Sequence, residues 1–180
     1  MRTKLGVIDD TLTPVKNWRE FIKGAPGLAE QYDVRMCPEI HSPTILNSQM
    51  IVDFVDFIEQ EKTKCFGLNI DFSIFQTGDN SLVGFGENDF VGPPAEHSKV
   101  AELIPLLKYV LICHAKFLKM DSNFNEVVIP YREIVQMLKK HSWEGYLISE
   151  YEGPKADDLN HVCDQVKRHQ LMLKNLISEG

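Results

Sequence analysis

The sequence predicts an α/β fold in which parallel strands alternate with helices. Apolar runs such as CFGLNIDFS (65–73) and YVLICHAKF (109–117) have strand length and little polar alternation, which is typical of strands buried on both faces. Helical stretches with apolar residues three and four positions apart follow these runs. The chain has 180 residues, whereas a closed (β/α)₈ barrel typically needs ~250. We therefore expect about five strands in one partial domain over residues 1–180, forming the C-terminal half of a TIM barrel.

The units follow one another from end to end, so the chain shows no second domain. Ser48 is expected to cap the helix that it precedes, and Pro130 to open another, where its missing N–H costs nothing. The predicted strands are 4–8, 34–40, 66–72, 109–117 and 145–151. The predicted helices are 17–32 with an interruption at 24–27, 48–61, 95–108, a stretch after Pro130, and 158–177 with Leu159, Val162, Val166, His169, Leu173 and Leu176 on one face.

Composition excludes several classes of protein. With 43% hydrophobic and 25% charged residues the chain is typical of a globular domain, and its net charge of −7 argues against a nucleic-acid groove. No apolar run reaches the ~18 residues of a membrane span, and the N-terminus lacks the apolar core of a signal peptide. The four cysteines have no CxxC spacing, which favours buried, reduced thiols and a cytoplasmic location.

Four polar residues occupy the ends of four successive strands: Glu39, Asp71, His114 and Glu150. In a parallel barrel the C-terminal strand ends form the active-site face. A carboxylate in an apolar strand is costly to bury unless it is paired or binds a metal, and three converging carboxylates repel one another unless a cation lies between them. Three oxygen ligands and one nitrogen favour Mn²⁺, with Mg²⁺, Co²⁺ or Zn²⁺ as alternatives. We therefore predict one divalent metal held by these four residues.

Neighbouring polar residues allow more than one interpretation. His41 could act as a general base or substrate ligand, or could stabilise a turn at HSP. Lys116 could bind a substrate oxygen or pair with Glu150, and Glu152 is expected to support the site rather than to react. The other histidines are assigned to the surface or to packing: His97, His141, His161 and His169.

The motifs EIHSP (39–43), GLNIDF (67–72), HAKF (114–117) and GYLISEYEG (145–153), followed by a terminal helix, resemble the sugar phosphate isomerase/epimerase family of xylose isomerase-like TIM barrels. The motifs EIHSP and DFSIFQ are more similar to those of the branch that includes C-glycoside deglycosidase large subunits. The resemblance covers the C-terminal half of the barrel and implies that Glu39, Asp71, His114 and Glu150 bind a metal, often manganese. Many relatives carry HxH on the seventh strand, where this chain has Ile112 at the first position.

The function expected from this resemblance is a metal-dependent sugar isomerase or epimerase. Glu39 and Glu150 would remove and return a proton beside a carbonyl, and His41 and Lys116 would bind the substrate. A non-catalytic half-barrel, or a deglycosidase-like subunit, is the alternative. An endonuclease of the endonuclease IV type is disfavoured, because that chemistry uses a histidine-rich three-zinc cluster.

Two further expectations concern the surroundings of the site. The glycine-rich segment 77–94 is long enough for a functional loop. It is expected to cover the mouth of the site, which is the opening at the C-terminal strand ends. The predicted open sheet leaves unpaired edges and an apolar inner face of Val, Ile, Leu and Cys side chains. We therefore expect a homo-oligomer, or a partner chain that supplies the missing strands.

Overall fold

The protein is described from a computed structural model over residues 2–3, 13–77, 79–86 and 96–179. A five-stranded sheet with the order β1-β2-β3-β4-β5 forms its centre, and every neighbouring pair of strands is parallel. The strands are β1 (Arg2–Thr3), β2 (Cys37–Ile40), β3 (Leu68–Asp71), β4 (Val110–Phe117) and β5 (Tyr146–Tyr151). The α/β class and the parallel half-barrel predicted from the sequence are confirmed. The predicted first strand, 4–8, lies outside the described residues.

Helices follow the strands as expected. The α-helices are α1 (Trp18–Lys23), α2 (Pro26–Gln31), α3 (Gln49–Glu61), α4 (Tyr131–Lys140) and α5 (Leu159–Ser178), and 3₁₀ helices cover Phe72–Phe75, Asn80–Leu82 and Val100–Tyr109. The interruption predicted at 24–27 separates α1 from α2. None of the helices in the described ranges combines the length and apolar character that a bilayer crossing requires.

The core lies between the outer face of the sheet and these helices. Trp18 of α1 packs edge-on against Phe54 and Phe57 of α3, with ring centroids 4.9 and 5.2 Å away. At the other side Phe117 at the end of β4 is fully buried and stacks on His169 of α5. This packing holds the strands rigidly, so their C-terminal ends have defined positions.

Some local predictions were wrong. The segment predicted as an α-helix over 95–108 forms the 3₁₀ helix Val100–Tyr109, because Pro105 inside it lacks an N–H and obstructs α-helical bonding. Leu159, predicted on the packed face of α5, is 76% exposed in the first turn. Ser48 is the N-cap residue of α3, as predicted, although its side chain makes no capping hydrogen bond.

The cysteine prediction is confirmed only in part. None of the four cysteines, all of which lie in the described ranges, forms a disulfide; Cys37, Cys65 and Cys113 are buried, but Cys163 is exposed on the solvent side of α5. Cys65 precedes β3 rather than lying inside it. Cys37 of β2 and Cys113 of β4 are buried, so they do not contribute to the exposed apolar face that the sequence predicts. The apolar side chains that are exposed on the sheet belong to β5, where Tyr146 is 77% and Ile148 45% exposed.

Candidate metal centre

Four strands deliver one polar side chain each to the same mouth. Glu39 lies in β2, Asp71 ends β3, His114 lies in β4 and Glu150 in β5. One ligand atom from each residue can be chosen so that all four lie within 4.8 Å of one another. This is the convergence that the sequence predicts, and three carboxylates with one imidazole form a donor set suited to a divalent cation. Their role as ligands stays a prediction.

The register of the sheet explains how these residues meet. Asp71 pairs directly with His114, so both lie in one row across β3 and β4. Glu39 pairs with Asn69, which lies two residues before Asp71 on β3. Glu150 pairs with Lys116, which lies two residues after His114 on β4. The two long glutamate side chains therefore reach toward the Asp71–His114 row from below and from above.

His114 is held between the two glutamates. Its Nδ1 lies 2.5 Å from Glu39 Oε1 and 3.2 Å from Glu150 Oε2. The hydrogen bonds to Glu150 and Glu39 raise the pKa of His114 to about 9 against the opposing effect of burial. Glu39 is 3% and His114 8% exposed, so this charged group lies in a largely dry environment.

Lys116 forms the second half of the cluster. Its Nζ lies 2.9 Å from Asp71 Oδ2, 2.9 Å from Glu152 Oε2 and 3.9 Å from Glu150 Oε2. Burial lowers the pKa of Lys116, but the charges of Asp71 and Glu152 outweigh it and leave that pKa above its usual range. Burial raises the pKa of Asp71, and the Lys116 ammonium opposes this rise. The sequence left open whether Lys116 pairs with Glu150; its shorter contacts are to Asp71 and Glu152.

His41 lies just beyond β2, outside the four-residue cluster. Its Nδ1 is 2.6 Å from the carbonyl oxygen of Ser42, within the HSP turn. The Ser42 N–H donates to Ser73 Oγ at 3.1 Å, which ties this turn to the end of β3. Of the two alternatives for His41, the structure therefore shows the turn contact. Its role in substrate binding stays a prediction.

Two polar residues near the cluster were not predicted as functional. Asn69 is fully buried, and neither of its amide atoms has a hydrogen-bond partner among the described residues. Ser73 donates its backbone N–H to Asp71 Oδ1 at 2.8 Å, which orients that carboxylate. The two-residue alternation that places Asp71 inward also places Asn69 on that face, so the pattern could have found it.

The remaining histidines agree with the packing assignment where the structure shows contacts. His169 is fully buried against Phe117, and His161 Nε2 lies 3.1 Å from the hydroxyl of Tyr151. Loop 77–94 leaves from the end of β3, but residues 78 and 87–94 lie outside the described ones. Its described part contacts the C-terminal side of β4, where Lys119 Nζ donates to the Leu82 carbonyl at 2.9 Å. Whether the loop covers the mouth stays a prediction.

Comparisons with known proteins support the resemblance seen in the motifs. No family model matches the chain. A C-glycoside deglycosidase alpha subunit from Arthrobacter globiformis is 24% identical over 213 aligned positions, covering 90% of this chain and 60% of that subunit. A second alpha subunit from the same organism is 35% identical over 108 positions, covering 60% of this chain and 25% of that subunit.

Solved structures show the same fold. The D-psicose 3-epimerase of Clostridium cellulolyticum H10 matches with a TM-score of 0.60 at 15% identity, over 95% of this chain and 61% of that one. The 3-keto-D-glucoside 4-epimerase of E. coli matches with a TM-score of 0.51 at 12% identity, over 88% of this chain and 51% of that one. The chain thus has the fold of xylose isomerase-like sugar epimerases and spans about half to three fifths of the length of these proteins.

Proposed function

We propose that this chain carries the metal centre and the proton-transfer residues of a sugar isomerase or epimerase. The observation that carries the proposal is the convergence of Glu39, Asp71, His114 and Glu150 within 4.8 Å at the strand ends of a half-barrel. The sugar-epimerase fold of the solved relatives supports it. The donor set favours Mn²⁺, with Mg²⁺, Co²⁺ or Zn²⁺ as alternatives.

We propose that the two glutamates transfer the proton. When bound, a divalent cation would polarise a sugar carbonyl and acidify the adjacent C–H. Glu39 and Glu150 approach the same His114 nitrogen from β2 and β5, so a substrate bound beside His114 would meet both carboxylates. One takes the proton from carbon, and either the other or the same carboxylate returns it. Return to the opposite face inverts the carbon. Return to the neighbouring carbon, together with transfer of the hydroxyl proton to the former carbonyl oxygen, isomerises the sugar.

Lys116 and His41 are proposed to bind substrate oxygens. The Lys116 ammonium is anchored near the cluster by Asp71 and Glu152, and a hydroxyl or oxyanion could share its third donor. His41 follows β2 and is only half-buried, so a bound ligand could reach its side chain. Segment 77–94 would close over the bound sugar.

The second candidate is a subunit that acts only with added strands. Tyr146 and Ile148 expose the inner face of β5, which is an edge strand of the described sheet. We propose that strands from another chain, or from a second copy, cover this face, and the deglycosidase alpha subunits among the relatives fit that arrangement. A monomer in sedimentation that binds no hydrophobic dye would contradict this proposal.

Metal analysis tests the proposed centre most directly. The purified protein, stripped with a chelator and titrated with Mn²⁺, should bind one ion per chain. His114→Ala should weaken binding by ~10-fold or more, because a ligand is lost. His141→Ala is the matched control, since His141 is exposed beyond the end of α4. Equal affinity in both variants would remove His114 from the ligand set.

Proton exchange tests the chemistry. Ketoses and 3-keto sugars incubated with the metal-loaded protein in D₂O should gain deuterium at the carbon that epimerises or isomerises. NMR spectra identify that carbon and so identify the substrate class. If the protein binds one metal ion but exchanges no carbon-bound proton in any sugar, alone or with an added partner chain, the catalytic proposal fails and the metal site stands.

A further inference from the structure

Lys116 occupies an unusual place for a lysine: its ammonium contacts one of the proposed metal ligands. Nζ lies 2.9 Å from Asp71 Oδ2, and the Lys116 side chain is 9% exposed while that of Asp71 is fully buried. A cation ligated by the same Asp71 oxygen would lie close to this ammonium, because both would contact one atom. Two cations in a largely dry site repel each other strongly. The lysine and the metal therefore compete for Asp71.

Glu152 provides the Lys116 ammonium with an alternative ion-pair partner. Glu152 Oε2 is also 2.9 Å from Lys116 Nζ, and the Glu152 side chain is 55% exposed at the rim of the mouth. Glu152 follows β5 directly, while the Lys116 carbonyl accepts a hydrogen bond from the buried Tyr131 hydroxyl at 2.7 Å. The backbone at Lys116 is thus fixed, and a rotation of the long side chain can move the charge from Asp71 toward Glu152.

We propose that Lys116 is a built-in counter-cation of the centre, which holds Asp71 in place, yields it to the divalent ion, and then pairs with Glu152. The inference rests on the metal centre of the proposed function. It makes Lys116 a positioning residue that sets metal affinity, in addition to any contact with substrate. Glu152 acts through Lys116, as the partner that keeps the displaced charge at the rim.

Metal affinity without substrate tests this inference. In calorimetric titrations with Mn²⁺, Lys116→Met should bind the ion ~10-fold or more tightly than the unaltered protein, because the competing charge is gone. Lys116→Gln, which keeps a hydrogen-bond donor but no charge, should also bind more tightly and serves if the methionine variant does not fold. Lys119→Met is the matched control, since Lys119 contacts the Leu82 carbonyl instead of the carboxylates.

Glu152→Gln distinguishes action through Lys116 from a direct effect on the ion. In the unaltered background Glu152→Gln should weaken Mn²⁺ binding several-fold, because the ammonium then has only Asp71 and Glu150 as partners. In the Lys116→Met background the same change should have little effect, as a double-mutant cycle would show. A loss of equal size in both backgrounds would mean that Glu152 attracts the ion directly, and would overturn its role as the lysine's partner.

The outcomes separate this inference from the metal centre itself. If the unaltered protein binds Mn²⁺ and neither Lys116 variant binds it more tightly, the competition is refuted and the centre stands. If only the Lys116 variants bind Mn²⁺, the competition is supported in its strongest form. If neither the unaltered protein nor the variants bind Mn²⁺, Co²⁺ or Mg²⁺, both the centre and the inference fail.

Discussion

Strand β4 carries a polar inner face and an apolar outer face, and a buried histidine lies on each side of it. His114 belongs to the inner face, and His169 of α5 packs against the outer face. On the inner face His114 lies between Glu39 and Glu150, which raise its pKa to about 9. On the outer face Phe117 stacks on His169, with ring centroids 4.0 Å apart and planes at 4°. Burial lowers the pKa of His169 to about 3. The pKa values of the two imidazoles are therefore shifted in opposite directions: the carboxylates favour the cationic form of His114, and burial favours the neutral form of His169.

The difference shows that burial alone does not determine what a buried histidine does. His169 is fully buried and His114 nearly so. The outer ring is stabilised by packing, which favours the neutral form, whereas the inner ring is stabilised by carboxylates, which favour the cation or a bound metal. The same strand thus packs against the core on one face and carries ionisable side chains on the other.

The largest effect is expected on the inner face. Glu150→Gln keeps size but removes charge and basicity, so it should lower any isomerase or epimerase turnover by ~10²–10⁴-fold. The variant should still unfold cooperatively in urea, with a lower free energy of unfolding because a carboxylate partner of His114 is lost. Steady-state kinetics and urea unfolding measure the two quantities. Glu144→Gln, at an exposed position before β5, is the control and should leave both unchanged. Retained turnover in Glu150→Gln would remove Glu150 from the mechanism.

Truncation on the outer face should affect stability instead. Phe117→Ala removes a fully buried ring that packs against Tyr151 and His169, and should cost about 3–5 kcal/mol in the free energy of unfolding. Phe21→Ala, at a position 47% exposed on α1, should cost well under ~1 kcal/mol. Urea denaturation measures both. Similar losses at the two sites would mean that the outer face of β4 is not the tightly packed one.

The pH dependence of stability tests the opposite pKa shift of His169. The unfolded chain binds the imidazole proton at the ordinary pKa of 6.5, but the folded protein binds it only near 3. The contribution of neutral His169 to the free energy of unfolding is therefore fully present above pH 6.5 and decreases as the pH falls toward 3. Between pH 7.5 and 5 the unaltered protein should lose about 2 kcal/mol more than His169→Gln does. Parallel pH profiles of the two proteins would contradict the lowered pKa.

The smallest effect concerns the hydrogen bond between the ring of His169 and Ser149. Ser149 Oγ lies 2.8 Å from His169 Nδ1, and the Gln170 amide also donates to this hydroxyl. Ser149→Ala should cost about 1 kcal/mol in the free energy of unfolding. In the His169→Gln background the cost should change, since the two residues are in contact. Additive losses would show that packing, and not this bond, orients the His169 ring.

Much of the candidate site follows from local sequence pattern. Strand alternation placed Asp71 and His114 on the inner face without any knowledge of the fold, and a helix after each strand implied parallel strands whose ends meet. The same reasoning failed at Val100–Tyr109, where a single proline changed the type of helix. It also failed at Leu159, because periodicity alone does not show where a neighbouring element stops covering a helix.

Local sequence pattern is enough to show which residues share the inner face of the sheet, because side-chain direction on a strand depends only on position along it. The distances between these residues, and the pairs that they form, depend on how the strands are assembled. Sheet register places Glu39 beside Asn69 and Glu150 beside Lys116, so that the two glutamates reach the Asp71–His114 row from opposite sides. Register also brings Lys116 to Asp71 and Glu152. These distances arise between strands that are far apart in the chain, where no local pattern carries information about them.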